Sequence, residues 1–315
     1  MLKAAKFLRD NDNFLILTHR RPDGDTCGSA AALCIALRAM GKKAYLFKNE
    51  ELTDRLLPFV AEFFPPKSFK PGRIVAVDIA DEGLFPDSAA PFKGKVDLCI
   101  DHHPTNKKYA ALTWLDEGEA AVGVMMFALA KKLDAELSVK LAEAVYLAVA
   151  TDTGCFKYAN TTVKAHKVAA ECIRLGADFH GINTKFFVIK TKARMDLEKE
   201  MFDKMIFSKD RKICATVLSR DFIEKVGADN DDLDNLSSLT MQIDSIFCGI
   251  LLTENVRRGS FKVSVRSRAP VSASRICAAF GGGGHDRAAG ATVEGEPSSC
   301  VKKLMREAAG EIKNV

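Results

Sequence analysis

A short apolar segment, residues 14–17, leads into a loop with the sequence THRRPDGDTCGS, and an alanine-rich segment follows up to Met40. This order predicts a strand, a tight loop and a helix, because proline and glycine turn the chain sharply whereas alanine favours a helix. In an open α/β sheet, ligands bind at the carboxyl ends of the strands. The side chains of His19, Asp23 and Asp25 are therefore predicted to face a ligand.

Three further apolar segments also end in acidic residues. They end at Asp78, at the triplet Asp101-His102-His103 and at Asp152. An unpaired buried carboxylate is costly, so a carboxylate in such a place is expected to have a partner. Imidazole nitrogens and carboxylate oxygens together suit Mn²⁺, Zn²⁺ or Fe²⁺. We therefore predict one shared metal site, in preference to four unrelated acidic turns.

The pattern of apolar segments predicts an α/β protein with two domains. Strands and helices alternate through the first half, which predicts a parallel sheet with helices on both faces. We assign this parallel-sheet domain to residues 1–186. The amphipathic stretch 186–207 is predicted to be a helix, and residues 187–210 are assigned to a helical linker. Strands, a hairpin and a terminal helix predict a smaller mixed α/β domain over residues 211–315.

Composition narrows the classes of partner. The chain has 315 residues and a net charge of +5, which permits an anionic substrate but does not indicate binding of long nucleic acid. Its nine cysteines show no framework spacing, which predicts reduced thiols in a cytoplasmic protein. No apolar stretch is long enough to span a membrane, so no membrane partner is predicted. With one tryptophan and four tyrosines, an aromatic track for long single strands is not expected.

Taken in order, these motifs resemble those of the DHH phosphoesterase family. Residues 19–29, Asp78, the triplet 101–103 and Asp152 resemble the four motifs of its N-terminal domain. The sequence GGGGH at residues 281–285 resembles the glycine-rich motif of its usual second domain. The resemblance implies a hydrolase with two divalent ions, for which Mn²⁺ is the first choice and Mg²⁺, Fe²⁺ or Zn²⁺ are alternatives.

The resemblance also implies a set of metal ligands. The implied ligands are His19, Asp23, Asp25, Asp78, His102 and Asp152. Asp78 would bridge the two ions, with His19 and Asp23 completing one site. Two such ions can activate a water molecule and stabilise an in-line displacement at phosphorus.

Other residues are expected to act on the substrate. His103 is expected to contact a phosphate oxygen or to protonate the leaving group. Asp101 is expected to accept the second N–H of a ligating imidazole or to cap the loop. The expected catalytic residues are Asp78, Asp101, His102 and His103. The expected substrate-binding residues are His103, Arg266, Gly283, Gly284 and His285. Glycine lets backbone N–H groups approach a phosphate closely, and arginine can donate two hydrogen bonds to two phosphate oxygens.

The resemblance is strongest to the small family members that cleave short RNA. It implies hydrolysis of short single-stranded oligoribonucleotides to mononucleotides, of 3′-phosphoadenosine 5′-phosphate to AMP, or of both. One alternative is a pyrophosphatase or exopolyphosphatase, but those relatives generally lack the glycine-rich motif. A second alternative is a non-catalytic nucleotide-binding or RNA-binding module, but every matched ligand position is filled. The sequence leaves homodimer formation open.

Overall fold

The computed structural model describes residues 1–313, which form two compact units. The first unit runs from Met1 to Ile189, and the second begins at Lys190. The helices of the first unit are α1 (Leu2–Asp10), α2 (Gly24–Ala39), α3 (Leu57–Val60), α4 (Val122–Lys132), α5 (Val139–Asp152), α6 (Val163–Arg174) and α7 (Phe179–Asn183). Its strands are β1 (Phe14–Leu17), β2 (Ala44–Leu46), β3 (Arg73–Val77), β4 (Leu98–Asp101) and β5 (Leu112–Leu115).

The five strands of the first unit form one parallel sheet in the order β2-β1-β3-β4-β5. Successive side chains of a strand point to opposite faces, so Phe14 and Ile16 pack with the α-helices while Leu15 and Leu17 belong to a second cluster. That second face is packed against by Phe85, which follows the 3₁₀ helix Glu82–Leu84, and by the 3₁₀ helix Asp87–Phe92. The predicted α/β class with a parallel sheet is confirmed.

Small residues let α2 lie directly against α5. A Cβ atom at Gly28 would come 2.4 Å from the carbonyl oxygen of Ala144, and one at Gly24 would come 2.4 Å from the side chain of Thr151. No side chain larger than hydrogen fits these two contacts without movement of the backbone. The close approach brings the start of α2 and the end of α5, and therefore Asp25 and Asp152, to the same place.

The second unit contains a six-stranded mixed sheet in the order β10-β11-β9-β8-β7-β6. Its strands are β6 (Ile206–Phe207), β7 (Ile213–Leu218), β8 (Cys248–Glu254), β9 (Ser260–Ser267), β10 (Gly283–His285) and β11 (Ala288–Glu294). Its helices are α8 (Lys192–Asp203), α9 (Arg220–Lys225), α10 (Asn230–Leu233), α11 (Ala273–Ala278) and α12 (Pro297–Lys313). The predicted mixed α/β architecture of this part of the chain is confirmed.

The structure differs from the sequence-based prediction of one helix over 186–207. A π-helical turn ends at Val188, Ile189 is extended, and α8 starts after Thr191. The side chain of Thr191 accepts a hydrogen bond from the backbone N–H of Arg194, so a new N-cap interrupts the amphipathic pattern. The last two residues of the stretch pair with β7 as strand β6. Within residues 1–313, no helix is both long and apolar enough to cross a lipid bilayer.

Candidate metal centre

The predicted ligands of the first unit lie where strands and helices end. His19 follows β1, Asp78 follows β3, and Asp101 is the last residue of β4. Asp23 is the N-cap of α2 and accepts a hydrogen bond from the backbone N–H of Thr26 at 3.0 Å. Because the strands are parallel, their carboxyl ends meet at one edge of the sheet.

Side chains from these ends form three overlapping groups among the described residues that could each hold a metal ion. Two of them contain the implied ligands, His19, Asp23 and Asp78 in one and Asp25, His102 and Asp152 in the other, with the ligand atoms of each group within 4.8 Å of one another. The third group is Asp78, His102 and His103. The Nε2 atom of His102 lies 3.7 Å from Oδ1 of Asp78. The two groups therefore adjoin at Asp78, and the structure brings together all six ligands that the resemblance implies.

Asp78 is the most unusual residue of this cluster. Its φ angle is +60°, and its carboxylate is 3% exposed. Within the described residues, its Oδ1 atom has no hydrogen-bond partner. A left-handed backbone and a buried oxygen without a donor both cost free energy, and such costs concentrate at functional sites.

Asp25 is fixed by backbone groups of α4. Its Oδ2 accepts the N–H of Val122 at 2.7 Å, and its Oδ1 accepts the N–H of Gly123 at 2.9 Å. The hydroxyl of Ser29 donates to Oδ1 at 2.9 Å. The helix N-terminus stabilises the negative charge and holds the carboxylate in one orientation.

The two histidines of the triplet have different partners. The Nδ1 atom of His102 lies 2.9 Å from the carbonyl oxygen of Glu119, which leaves its Nε2 atom facing the carboxylates. The Nδ1 atom of His103 lies 2.8 Å from Oδ1 of Asp101. Asp101 therefore orients His103, and the backbone carbonyl of Glu119 orients the predicted ligand His102.

Crowding of the acidic groups changes their pKa values. Burial, and then the nearby charge of Asp152, raise the pKa of Asp25 to about 7. Burial also raises the pKa of Asp152 to about 6, and burial together with Asp25 and Asp23 raises the pKa of Asp78 well above its usual value. Burial would also raise the pKa of Asp101, but the hydrogen bonds from His103 and Asn106 hold it below the usual value.

These observations fit divalent cations. A cation would bind the Oδ1 atom of Asp78 that lacks a donor, and it would offset the repulsion among Asp25, Asp78 and Asp152. The donor set of imidazole nitrogens and carboxylate oxygens is one that first-row divalent metals accept. The residues could therefore bind a divalent metal, although the donor types alone do not select which one.

The predicted substrate-binding residues of the second unit lie on one sheet. His285 on β10 pairs with Ala288 on β11, and Ala288 pairs with Arg266 on β9. Directly opposed residues in antiparallel strands point to the same face, so Arg266 and His285 share a face across a single small residue. Gly283 and Gly284 lie on β10 rather than in the loop that a glycine run predicts.

Several groups that position the cluster could not be found in the sequence. The N–H groups of Val122 and Gly123 and the carbonyl of Glu119 belong to the backbone, so residue types carry no signal for them. Asp81 is an acidic residue near Asp78 that is not among the predicted ligands; it accepts a hydrogen bond from the N–H of Gly83 at 2.7 Å and caps a 3₁₀ helix.

Comparison with known proteins supports the motif assignment. Residues 13–149 match the model of the DHH family N-terminal domain, and residues 210–314 match the DHHA1 domain. The chain is 33% identical over 282 residues to the bifunctional oligoribonuclease and PAP phosphatase NrnA of Thermus thermophilus, a match that covers 89% of this chain and 84% of that protein. It is 26% identical to the Bacillus subtilis protein of the same description, over 90% of each chain.

A solved structure shows the same fold. An exopolyphosphatase-related protein from Bacteroides fragilis superimposes with a TM-score of 0.87 at 21% identity, and the match covers 98% of this chain and 95% of the other. Family-model matches to both parts of the chain and a relative above 30% identity over most of its length agree with the motifs found above. The chain therefore belongs to the DHH phosphoesterase family.

Proposed function

We propose that this chain is a metal-dependent phosphoesterase that hydrolyses short oligoribonucleotides to mononucleotides and 3′-phosphoadenosine 5′-phosphate to AMP. The observation that carries the proposal is Asp78, a buried carboxylate whose Oδ1 atom has no hydrogen-bond partner among the described residues and which lies between two ligand groups. The printed activities of two relatives that match most of the chain supply the substrate class.

Two divalent ions are part of the proposal, and Mn²⁺ is the first choice. His19 and Asp23 would hold one ion, Asp25, His102 and Asp152 the other, and Asp78 would bind both. When bound, such a pair activates water and stabilises charge on the attacking and leaving oxygens. The protein keeps the ligands in place through the fixed Asp25 carboxylate and the His102 ring held by Glu119.

His103 is proposed to act on the substrate itself. Its side chain is 45% exposed, whereas the His102 side chain is 12% exposed. Because Nδ1 of His103 is hydrogen-bonded to Asp101, Nε2 is the nitrogen that remains for a phosphate oxygen or a leaving group. Asp101 fixes the orientation of the ring, which makes Asp101 a positioning residue.

The second unit is proposed to hold the substrate. Arg266 and His285 lie on the same sheet face with only the methyl group of Ala288 between them, which leaves room for a phosphate group. The exposed backbone at Gly283 and Gly284 can approach the same group. We assign catalysis to residues 1–186 and substrate binding to residues 211–315, with 187–210 as the linker.

The proposal also covers the cellular compartment, the oligomeric state and the substrate of the protein. The nine cysteines are free thiols, and eight of them are buried, which supports a reducing cytoplasmic compartment. Homodimer formation remains a prediction, which sedimentation velocity would test. The proposed substrate is short single-stranded RNA or a nucleotide.

A substrate panel in Mn²⁺ tests the proposed activity. The panel contains RNAs of stepped length, 3′-phosphoadenosine 5′-phosphate, pyrophosphate and polyphosphate. We expect di- to pentanucleotides to be hydrolysed at least about ten-fold faster than long strands, a barrier difference of about 1.4 kcal/mol. Hydrolysis of pyrophosphate or polyphosphate alone would overturn the proposal in favour of a pyrophosphatase. Equal kcat/KM on a dinucleotide and a long RNA would indicate a processive exonuclease.

A further inference from the structure

One face of strand β9 carries two positively charged residues at its two ends. Side chains at alternate positions of β9 are buried, and Lys262, Ser264 and Arg266 occupy the opposite, more exposed face. Lys262 and Arg266 are four residues apart, so their backbones are about 13 Å apart along the strand. A phosphate group held by Arg266 therefore lies far from the backbone of Lys262.

The face between these two residues has little bulk. Ser264 lies opposite Gly290 on β11, and Gly290 lies opposite Gly283 on β10. A Cβ atom placed at Gly283 would meet nothing within 4 Å. Ser264, Gly290 and Gly283 therefore leave an open surface on strands β9, β11 and β10. This surface separates Lys262 from Arg266 and His285.

Beside Lys262, at the edge of β11, lies an open depression that borders both faces of the sheet. Its volume is about 410 Å³; Lys262, Gly290 and Thr292 line it from one face, and the half-buried ring of Phe280 lines it together with Val263 and Ala291 of the opposite face. A depression with a cation on one side and an aromatic ring on another offers contacts for both a phosphate and a nucleobase.

The charge of Lys262 is not balanced by its neighbours. Across the sheet it lies opposite Thr253 and Thr292, which are neutral. The acidic side chains at the ends of the adjacent strands, Glu254 and Glu294, are paired with Arg258 and Arg257. Among residues 1–313 no salt bridge involves Lys262, so its ammonium group can bind an anion without breaking an existing pair.

We propose that Lys262 binds a phosphodiester further along an oligonucleotide than the phosphate held by Arg266 and His285. The inference rests on the proposed function and specifies its substrate. The two backbone positions are about 13 Å apart along the strand. We therefore expect the contact from Lys262 to matter most for an RNA longer than a dinucleotide. Lys262 is then a specificity residue that raises kcat/KM for short oligonucleotides longer than a dinucleotide. It has no effect on hydrolysis of the nucleoside bisphosphate.

The test compares Lys262→Ala, Lys262→Arg and the control Lys303→Ala with the wild type. Lys303 is exposed on α12, which packs against the opposite face of the same sheet. Each protein is assayed on an unphosphorylated dinucleotide, a pentanucleotide and 3′-phosphoadenosine 5′-phosphate at two salt concentrations. We expect Lys262→Ala to lower kcat/KM on the pentanucleotide by about three- to five-fold, and less at high salt because an exposed ion pair is screened.

The same experiment separates the inference from the proposed function. Supporting results are an unchanged rate on the two small substrates, recovery in Lys262→Arg and no effect of Lys303→Ala. If Lys262→Ala leaves the pentanucleotide rate unchanged, or lowers the rates on all three substrates equally, the inference is wrong and the proposed function stands. If the wild-type protein hydrolyses none of the three substrates, both the inference and the proposed function are wrong.

Discussion

The Nδ1 atom of His103 lies 2.8 Å from Oδ1 of Asp101. The other carboxylate oxygen of Asp101 accepts a hydrogen bond from the side chain of Asn106 at 2.6 Å. Both oxygens of a fully buried carboxylate are thus used, one to orient an exposed imidazole and one to fix the carboxylate. The hydrogen bonds show how an acidic residue inside the cluster orients His103.

The variant Asp101→Asn tests this positioning role. In one orientation the amide NH₂ group faces the donor of Asn106. In the other it faces Nδ1 of His103, which can accept only in the tautomer with the proton on Nε2, so the imidazole loses either its partner or the tautomer that Asp101 imposes. We expect kcat on a dinucleotide to fall by about 10- to 100-fold, as for other residues that orient catalytic groups. Metal content, measured by plasma emission, should stay at the wild-type value. An unchanged kcat would show that Asp101 has only a structural role.

The raised pKa values of the cluster predict how pH affects the metal-free protein. The pKa of Asp25 is about 7 in the folded state and about 4 when unfolded, so between these pH values the folded state binds more protons. Stability therefore falls as pH rises through this window, and Asp152, with a raised pKa of about 6, acts in the same direction. Nearby carboxylates also raise the pKa of His19 and of His102 despite burial, and these shifts favour the protonated folded state as well.

We expect the metal-chelated protein to unfold at a higher urea midpoint at pH 5 than at pH 8. The unfolding free energy should be larger at pH 5 by a few kcal/mol. Added Mn²⁺ should raise the midpoint at pH 8 more than at pH 5, because metal binding needs deprotonated ligands. In the control Asp25→Asn, much of the pH dependence should disappear. Greater stability of the chelated wild type at pH 8 would contradict the electrostatic account of the cluster.

The sequence was sufficient to predict that the side chains at the strand ends meet at the cluster. His19, Asp78 and Asp101 each follow or end an apolar strand, and parallel strands bring such ends together whatever the details of packing. Asp152 ends a helix instead, and its place depends on the contact of Gly24 and Gly28 with α5, which only the structure shows. The sequence left open which group orients which histidine, since the carbonyl of Glu119 has no sequence signal.

The second unit shows a different limit of sequence reasoning. A run of four glycines predicts a flexible loop, but Gly282 lies so close to β11 that a Cβ atom there would come 2.2 Å from the carbonyl of Gly290. The last two glycines of the run, Gly283 and Gly284, form the edge strand β10 with His285, and the absence of side chains permits this close approach to β11. The prediction of a helix over 186–207 was wrong for a local reason, because Thr191 caps a new helix where the apolar pattern continues.

Variants of Arg266 and His285 test the proposed substrate-binding role of the second unit. We expect Arg266→Ala and His285→Ala to raise KM or to lower kcat/KM on nucleotides, by about ten-fold for each charged or bidentate contact removed. Metal content should not change, because neither residue belongs to the metal-binding groups. Loss of bound metal in both variants would contradict the assignment of metal and substrate to different parts of the chain.

The shared carboxylate of Asp78 is the centre of the account, and steady-state turnover of a dinucleotide in Mn²⁺ by Asp78→Ala tests it most directly. Asp54→Ala is the matched control, since Asp54 is an exposed aspartate of the same unit outside the metal-binding groups. We predict that Asp78→Ala abolishes turnover while its circular dichroism spectrum stays that of the folded protein, because two of the three candidate metal groups contain Asp78 and lose that ligand. Near-normal turnover by Asp78→Ala would contradict a site in which Asp78 serves both ions.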